Sequence, residues 1–292
     1  MVKDLADRTL PREPFWFRPI AVRGRLVSLD AFRGITILLM LLVNNASLGR
    51  HTPPYLQHAP WGGGIHLADL VFPWFLFCVG VAIPFSAASW KTKNGLPWKY
   101  ELKIVARTAS LFLLGCLVDS SIASRPMIVL GVLQLIALAY GTGAILADLS
   151  AVRRSLITFI LLAGYWWAIR YIPVPGVGAG TFEPERNLLS HINGTLLGPV
   201  NARGLLSAIP TSAMVLIGTL IGDILQKPKK AQLRKLGTMA AVGAALMILG
   251  SAWSATLPFN KDYWTPPYIV FTAGLGCLIL GVFYLIADGL EI

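Results

Sequence analysis

Five polar side chains near the N-terminus have the types and spacing that chemistry requires: Asp30, Arg33, Asn44, His58 and Asp69. They lie in or beside two strongly apolar segments, where polar groups are costly and ionisable groups are functional candidates by default. A neutral imidazole is suited to accepting a proton near pH 7. Glycines at positions 62–64 follow His58 and permit a ligand to approach the backbone closely. His58 is therefore the first candidate for a general base.

Asp69 and Asn44 are the candidate partners of that histidine. Asp69 lies near the start of the second apolar segment, so its carboxylate either orients the His58 ring or caps the helix. The Asn44 amide can donate a hydrogen bond to a carbonyl oxygen as negative charge develops on it. The alternative for Asn44 is simple hydration at the membrane interface. The sequence thus predicts a catalytic group of His58, Asn44 and Asp69, with these alternatives open.

Basic side chains on the first and third apolar segments form a second group of candidates. Asp30 and Arg33 are separated by a spacing that places them on one helical face, where they can pair. That pair either anchors the start of the helix or leaves Arg33 to receive an anionic ligand from the cytoplasm. Arg107 lies one turn after Lys103, and it either faces a polar cavity or extends toward the lipid headgroups.

Histidines and cysteines do not form a metal-binding pattern. The chain has 4 histidines, and no cysteine or carboxylate cluster accompanies them at ligand spacing. A zinc site needs three or four ligands. Cys78, Cys116 and Cys277 all lie inside apolar segments, as expected for small packing residues. We therefore predict neither a metal site nor a disulfide framework.

The elements that position these residues are predicted to be transmembrane helices. Hydrophobic residues make up 55% of the 292-residue chain and charged residues 13%, with a mean hydropathy of +0.65, whereas a soluble domain has about 25% charged residues. Alternating β-barrel patterning is absent. The expected fold class is all-α, a polytopic membrane protein. About eight candidate spans of nearly bilayer length cover residues 31–48, 67–88, 102–118, 127–146, 156–172, 205–225, 236–257 and 268–287.

The net charge of +11 does not indicate a nucleic-acid partner, because Lys and Arg concentrate in the N-terminal segment and in alternate loops. Such an excess marks the cytoplasmic side of a membrane protein. We therefore predict a cytoplasmic N-terminus, with a cytoplasmic segment at residues 1–30 and a transmembrane domain at 31–292. Residues 1–30 have no apolar core of the kind that a cleavable signal contains.

This charge distribution gives a testable topology. Lys93 and Lys229 are expected in the cytoplasm, and His58 and His191 on the outer side. Single cysteines at these positions in sealed cells, treated with a membrane-impermeant thiol reagent, measure it. We expect labelling at positions 58 and 191 only. Strong labelling at position 93 but not at 191 would contradict the orientation.

Four blocks near the N-terminus resemble the heparan-α-glucosaminide N-acetyltransferase family: residues 29–34 (LDAFRG), 43–44 (VN), 58–61 (HAPW) and 68–75 (ADLVFPWF). The last of them is the most specific. Later blocks are similar to bacterial members of that family, namely residues 131–134, 204–210, 257–261 and 264–265. The chain is identified by resemblance as a bacterial-type member, over most of its length.

The resemblance implies a transmembrane acetyltransferase. The donor would be cytoplasmic acetyl-CoA, and the acceptor the amino group of a glucosamine-type sugar or cell-wall saccharide on the opposite side. By motif match, His58 takes the position of the family's active-site histidine and Asn44 that of an asparagine implicated in the same site. His58 then either accepts the ammonium proton or itself receives the acetyl group. The phosphates of CoA suit the basic cytoplasmic face, where the candidates are Arg33, Lys103 and Arg107.

The expected partners are acetyl-CoA, the amino sugar and membrane lipid, with a homodimer as an open alternative and no nucleic acid or metal. The expected location is the inner membrane of a bacterium. The chain is also expected to stop before the last helices of the family. An alternative function is an amino-sugar or saccharide transporter without acyl transfer. The paired, Gly/Pro-interrupted helices that favour transport are not evident in the two halves of the sequence.

Overall fold

The regular structure of this chain is helical. The computed structural model describes residues 26–46, 52–94, 97–125, 130–227 and 232–289, and within them the single extended pairing is an isolated bridge between Val174 and Gly178. The all-α class predicted from the sequence is confirmed. The helices are α1 (Val27–Ala46), α2 (Leu67–Asn94), α3 (Pro97–Ala123), α4 (Val132–Leu146), α5 (Ala151–Tyr171), α6 (Leu188–Ile192), α7 (Ala208–Gln226), α8 (Gln232–Trp253) and α9 (Pro266–Phe283).

Each predicted span overlaps one of the longer helices, but these helices differ in how well they suit a bilayer. Among the described residues, five are long and apolar enough to cross a membrane, namely α1, α2, α7, α8 and α9. Helix α4 is apolar but has only 15 residues. Helices α3 and α5 have the length, but Lys103 and Arg107 on α3 and Arg154 and Arg170 on α5 lower their hydropathy. The protein is polytopic, and the part of the chain that the structure describes has five helices that meet these criteria, where the sequence predicts about eight spans.

The outer faces of α3 and α5 nevertheless suit a lipid environment. Large apolar side chains on these faces are exposed to the surroundings of the bundle, including Leu113, Leu117, Phe159, Ile160 and Trp167. In a bilayer such side chains contact acyl chains, and the helical backbone satisfies its own hydrogen bonds. These two helices therefore lie at the periphery of the bundle, with one face toward lipid.

Helix α7 is the central element. Most of its residues are buried, and it packs against α2, α4, α5 and α9. Gly218 of α7 approaches α2 so closely that an added Cβ would lie 2.5 Å from the Phe77 carbonyl oxygen and 2.9 Å from the Gly80 Cα. Gly222, one turn later, has a similar contact with the Val81 carbonyl oxygen, at 2.6 Å. The small-residue pair at 218 and 222 is therefore a helix-packing motif, as its spacing predicts.

Replacing Gly218 with alanine is expected to destabilise the protein, because the new Cβ has no room against the α2 backbone. The matched control is Gly164→Ala on α5, where an added Cβ meets nothing within 4 Å and alanine favours the helix by about 1 kcal/mol. Thermal unfolding of both variants in detergent is the measurement. We expect a lower midpoint for Gly218→Ala and an unchanged or higher one for Gly164→Ala. Equal midpoints would contradict the close approach of α2 and α7.

The long helices bring three connections together at one end of the bundle. These are the segment after α1, the long connection between α5 and α7, and the connection between α8 and α9. Trp61 in the first packs against Phe182 in the second and Tyr263 in the third, with ring-centroid distances of 5.0 and 5.8 Å. At the opposite end, α1 begins at Val27, so the predicted segment 1–30 overlaps the helix, and its first 25 positions lie outside the described residues.

Candidate active site

His58 and Asp69 form a hydrogen-bonded pair at the end of the bundle where the three connections meet. The His58 Nδ1 lies 2.9 Å from the Asp69 Oδ1. The Asp69 side chain is 4% exposed, whereas that of His58 is 48% exposed. Because an ionised carboxylate only accepts hydrogen bonds, Nδ1 has the ring proton and Nε2 keeps a lone pair. A carboxylate therefore holds the imidazole in the tautomer that a general base requires.

Asp69 fixes the backbone around the histidine as well as its ring. The Asp69 Oδ2 accepts hydrogen bonds from the backbone N–H groups of Ala59, at 3.1 Å, and His66, at 2.9 Å. His66 directly precedes α2, so the second contact runs from the first turn of the helix back to its cap position. The negative charge also complements the partial positive charge of the helix N-terminus. Asp69 therefore has both of the roles that its position allows: it caps α2 and it orients His58.

A lysine from the far end of the chain completes this cluster. Lys261 lies in the connection between α8 and α9, and its Nζ is 2.8 Å from the His58 Nε2 and 3.1 Å from the Nδ1. The ammonium therefore lies beside both ring nitrogens, and since Nδ1 donates its proton to Asp69, Nε2 is the one that can accept from it. Burial lowers the pKa of Lys261, while the carboxylates of Asp69 and Asp262 act in the opposite direction.

Lys261 is the functional candidate that sequence reasoning misses. It is 203 positions from His58 along the chain, and no spacing pattern connects a lysine in an outer loop with a histidine in another. The signal that was available is the block 257–261, which contributes to the family resemblance and ends at this lysine. Only the packing of α9 beside α2 brings the two side chains together.

The segment 258–265 presents Lys261 from a backbone that is fixed by its own hydrogen bonds. The Thr265 hydroxyl donates to the Pro258 carbonyl oxygen and accepts from the Asn260 N–H, both at 3.0 Å. The Asn260 side-chain oxygen accepts from the Tyr263 N–H at 2.9 Å. These contacts close the loop on itself and fix the backbone from which the Lys261 side chain extends.

The cluster lines a pocket of about 60 Å³. Trp61 forms one wall, and Tyr268 of α9 lies beneath, where its hydroxyl donates to the backbone carbonyl oxygen of Asp69. The carboxylates of Asp69 and Asp262 outweigh the single ammonium of Lys261 among the lining residues. The pocket therefore has a net negative charge with an aromatic wall, a combination that favours a cationic ligand with an apolar face.

Asn44 is not among the residues that line this pocket. It lies exposed near the C-terminal end of α1. The pocket is lined by residues 58–61, Gly64, Asp69, residues 259–262 and Tyr268. The catalytic role of Asn44 therefore stays a prediction, whereas His58 and Asp69 are brought together as the sequence predicts.

The three predicted cofactor-binding cations all have partners within the protein. Arg33 pairs with the carboxylate three residues before it at 2.6 Å, the ion pair that its spacing predicts. The Lys103 Nζ lies 4.5 Å from the centre of the Trp90 ring, and the Arg107 guanidinium carbon lies 4.8 Å from that of Tyr140. Such cation–aromatic contacts orient the charged groups without neutralising them. Binding of a donor by these residues stays a prediction.

Fold and site together define a polytopic, all-α membrane protein in which a histidine, hydrogen-bonded to a buried aspartate, lines a pocket at one end of the helices. A family model described as heparan-alpha-glucosaminide N-acetyltransferase, catalytic, matches residues 25–257. The chain therefore belongs to this family, and the resemblance noted in its motifs is confirmed. The matched region contains His58, Asp69 and the three predicted basic residues, and it ends before Lys261.

Two curated relatives have the same name as the family. The heparan-alpha-glucosaminide N-acetyltransferase of Homo sapiens is 26% identical, over 94% of this chain and 51% of the relative. The protein of the same name from Mus musculus is 25% identical, over 91% of this chain and 50% of the relative. The chain thus spans about half the length of the curated relatives it matches.

Proposed function

We propose that this protein transfers an acetyl group from acetyl-CoA to the amino group of a glucosamine-type sugar, with His58 as the general base. The observation that supports this most directly is the His58–Asp69 pair, which leaves the ring lone pair on Nε2 within the pocket, where an acceptor amine can replace the ammonium of Lys261. Family membership supports the same reaction, because both relatives are N-acetyltransferases by name. In the proposal, the donor arrives from the cytoplasm of a bacterium and the acceptor from the opposite side of its inner membrane.

The reaction begins with the acceptor amine. A glucosamine nitrogen is mostly an ammonium ion near neutral pH and attacks only after losing a proton, which the His58 Nε2 accepts. The amine then bonds to the thioester carbonyl carbon, and the carbonyl oxygen becomes an oxyanion. The first proton passes from His58 to solvent, so Nε2 can accept the second N–H proton from the nitrogen of the tetrahedral intermediate. When this intermediate collapses, the C–S bond breaks, the amide forms, and the CoA thiolate takes that second proton from the imidazolium of His58. The buried carboxylate of Asp69 stabilises that imidazolium while it exists.

The pocket has features that suit an amino sugar. The net negative charge from Asp69 and Asp262 attracts the ammonium group of the acceptor toward Nε2. Trp61 offers an aromatic face, and its ring is held by Phe182 and Tyr263. A pyranose ring has apolar C–H faces that pack on such a surface. Charge thus selects the amine, and the aromatic wall supports the sugar ring that bears it.

The donor is proposed to lie along α1 and α3. Arg33 and Asn44 are both on α1, roughly 17 Å apart at about 1.5 Å per helical residue, a distance similar to the length of an extended pantetheine arm. Lys103 and Arg107 on α3 combine positive charge with neighbouring aromatic rings, a chemistry that suits the phosphates and adenine of CoA. Asn44, at the outer end of α1, remains our candidate for contact with the acyl end of the donor.

Incubation of the purified protein with radiolabelled acetyl-CoA and a panel of amino sugars tests the proposed reaction. We expect label on the nitrogen of a glucosamine-type sugar and an equal amount of free CoA. Matched sugars with a hydroxyl in place of the amine are the control and are expected to stay unlabelled. Absence of label from every amino sugar, with protein that is folded by thermal unfolding, would contradict acetyl transfer.

A further inference from the structure

We propose that Lys261 is a catalytic residue whose ammonium group stabilises the oxyanion of the tetrahedral intermediate. This inference rests on the proposed acetyl transfer and adds to it a residue beyond the region matched by the family model. The predicted donor for that oxyanion, Asn44, is exposed on α1, whereas Lys261 lines the same pocket as His58.

The first argument is the position of the ammonium group. The Lys261 Nζ lies 2.8 Å from the His58 Nε2, which is the atom that must contact the amine of the acceptor. When the acceptor binds there, it displaces the ammonium from Nε2 without removing it from the pocket. When the amine attacks the thioester, the negative charge develops on the oxygen that is bonded to the attacked carbon. That oxygen is within reach of the flexible Lys261 side chain. A charged donor beside a developing oxyanion gives a stronger hydrogen bond than a neutral amide does.

The second argument is that neither neighbouring carboxylate forms a close ion pair with Lys261. Asp69 already accepts from His58 and from two backbone N–H groups. Asp262 is exposed to solvent, which weakens its attraction for the lysine. The groups that face Lys261 are therefore the neutral imidazole of His58, these two carboxylates and the hydroxyl of Tyr268. Its ammonium hydrogen-bonds to a neutral nitrogen, a partner that it can exchange for an oxyanion.

The third argument is the rigidity of the loop that presents Lys261. Tyr263, two residues later, is held by its backbone and by its side chain. Its carbonyl oxygen accepts a hydrogen bond from the Tyr165 hydroxyl at 3.0 Å, and its own hydroxyl hydrogen-bonds with that of Ser190 at 2.6 Å. The next residue, Trp264, is buried with a φ of 51°. Bulky residues rarely adopt that conformation, and it persists only where the surroundings enforce it. Such strain is typical of backbone that must place a functional group.

Kinetics of two substitutions test the proposal. Lys261→Met keeps the length of the side chain and removes its charge, so we expect a loss of roughly 100- to 1,000-fold in kcat with little change in the KM for acetyl-CoA. Lys261→Arg keeps a cation and is expected to restore most of the rate. Lys227→Met, an exposed lysine at the other end of the bundle, is the matched control and is expected to match the wild type.

The pH profile separates this role from a structural one. The kcat of the wild type is expected to fall at high pH as Lys261 loses its proton, and burial places this fall below the range of an ordinary lysine. Arginine stays protonated throughout, so the alkaline fall is expected to disappear in Lys261→Arg. That profile keeps the test decisive even if Lys261→Met does not fold.

Three results would overturn the proposal. An active wild type with an equally active Lys261→Met variant would remove Lys261 from the mechanism and leave the proposed function intact. Wild-type activity that is lost equally in a folded Lys261→Arg variant would show that lysine acts by its shape and not by its charge. A folded wild type without any acetyl transfer would contradict the proposed function and this role together.

Discussion

Replacing His58 with alanine is expected to abolish acetyl transfer while the helical bundle stays folded. The imidazole is the proposed general base of the pocket, and a general base contributes roughly 100- to 10,000-fold to a rate. Its side chain is half exposed and buries little apolar area, so its loss costs little stability. Initial rates with saturating acetyl-CoA and amino sugar, together with the thermal midpoint, measure both effects.

The matched control for His58 is another histidine of the outer connections. His191 lies on α6, half-buried and outside the pocket lining, so His191→Ala is expected to keep the wild-type rate. Binding of acetyl-CoA by His58→Ala is expected to persist, because the proposed donor contacts lie on α1 and α3. Equal rates for His58→Ala and the wild type would remove His58 from the mechanism.

Asp69→Asn is expected to lower kcat by roughly 100- to 10,000-fold, as for other histidines that are oriented by a carboxylate. The asparagine oxygen can still accept the backbone N–H groups of Ala59 and His66. Its NH₂ group must then face the His58 Nδ1, which favours the tautomer with the proton on Nε2. The lone pair that accepts the ammonium proton is lost, although the ring remains in place.

A second carboxylate provides the control for this substitution. Asp223 on α7 pairs with the buried guanidinium of Arg154, away from the pocket. Asp223→Asn is expected to lower the thermal midpoint, because it leaves a buried charge without its partner, and to keep the kcat of the folded protein. An Asp69→Asn variant that loses stability to the same extent but keeps the wild-type kcat would reduce Asp69 to a helix cap.

Much of the fold follows from patterns that are local in the sequence. The second span is predicted at 67–88, and α2 begins at the same residue and continues to Asn94. The third is predicted from residue 102, but α3 begins at Pro97. The hydropathy prediction begins too late because Lys99 and Glu101 are charged and lower the mean hydropathy of the first turn. The backbone of that turn is nevertheless helical. Apolar length thus predicts which segments are helices better than where they begin.

In the candidate site, too, local contacts are predictable from the sequence and long-range contacts are not. His58 and Asp69 are 11 positions apart, so a motif on one loop and one helix start is enough to predict their pairing. Lys261 reaches them only because α9 packs on α2, and that contact depends on the whole bundle. Asn44 illustrates the converse: its motif predicts a site residue, while its exposed position on α1 leaves the pocket to other side chains. Long-range packing of the helices decides which side chains line the pocket, and the spacing of residues in the sequence does not predict that packing.

The central claim is that an acetyl group, and not the sugar, crosses the membrane at His58. Sealed proteoliposomes that contain glucosamine, with radiolabelled acetyl-CoA added outside, test it most directly. The account predicts labelled N-acetylglucosamine inside vesicles with the wild type and none with His58→Ala. Vesicles in which unlabelled glucosamine instead passes through the wild-type protein, with no label on any sugar, would contradict the account and identify a transporter.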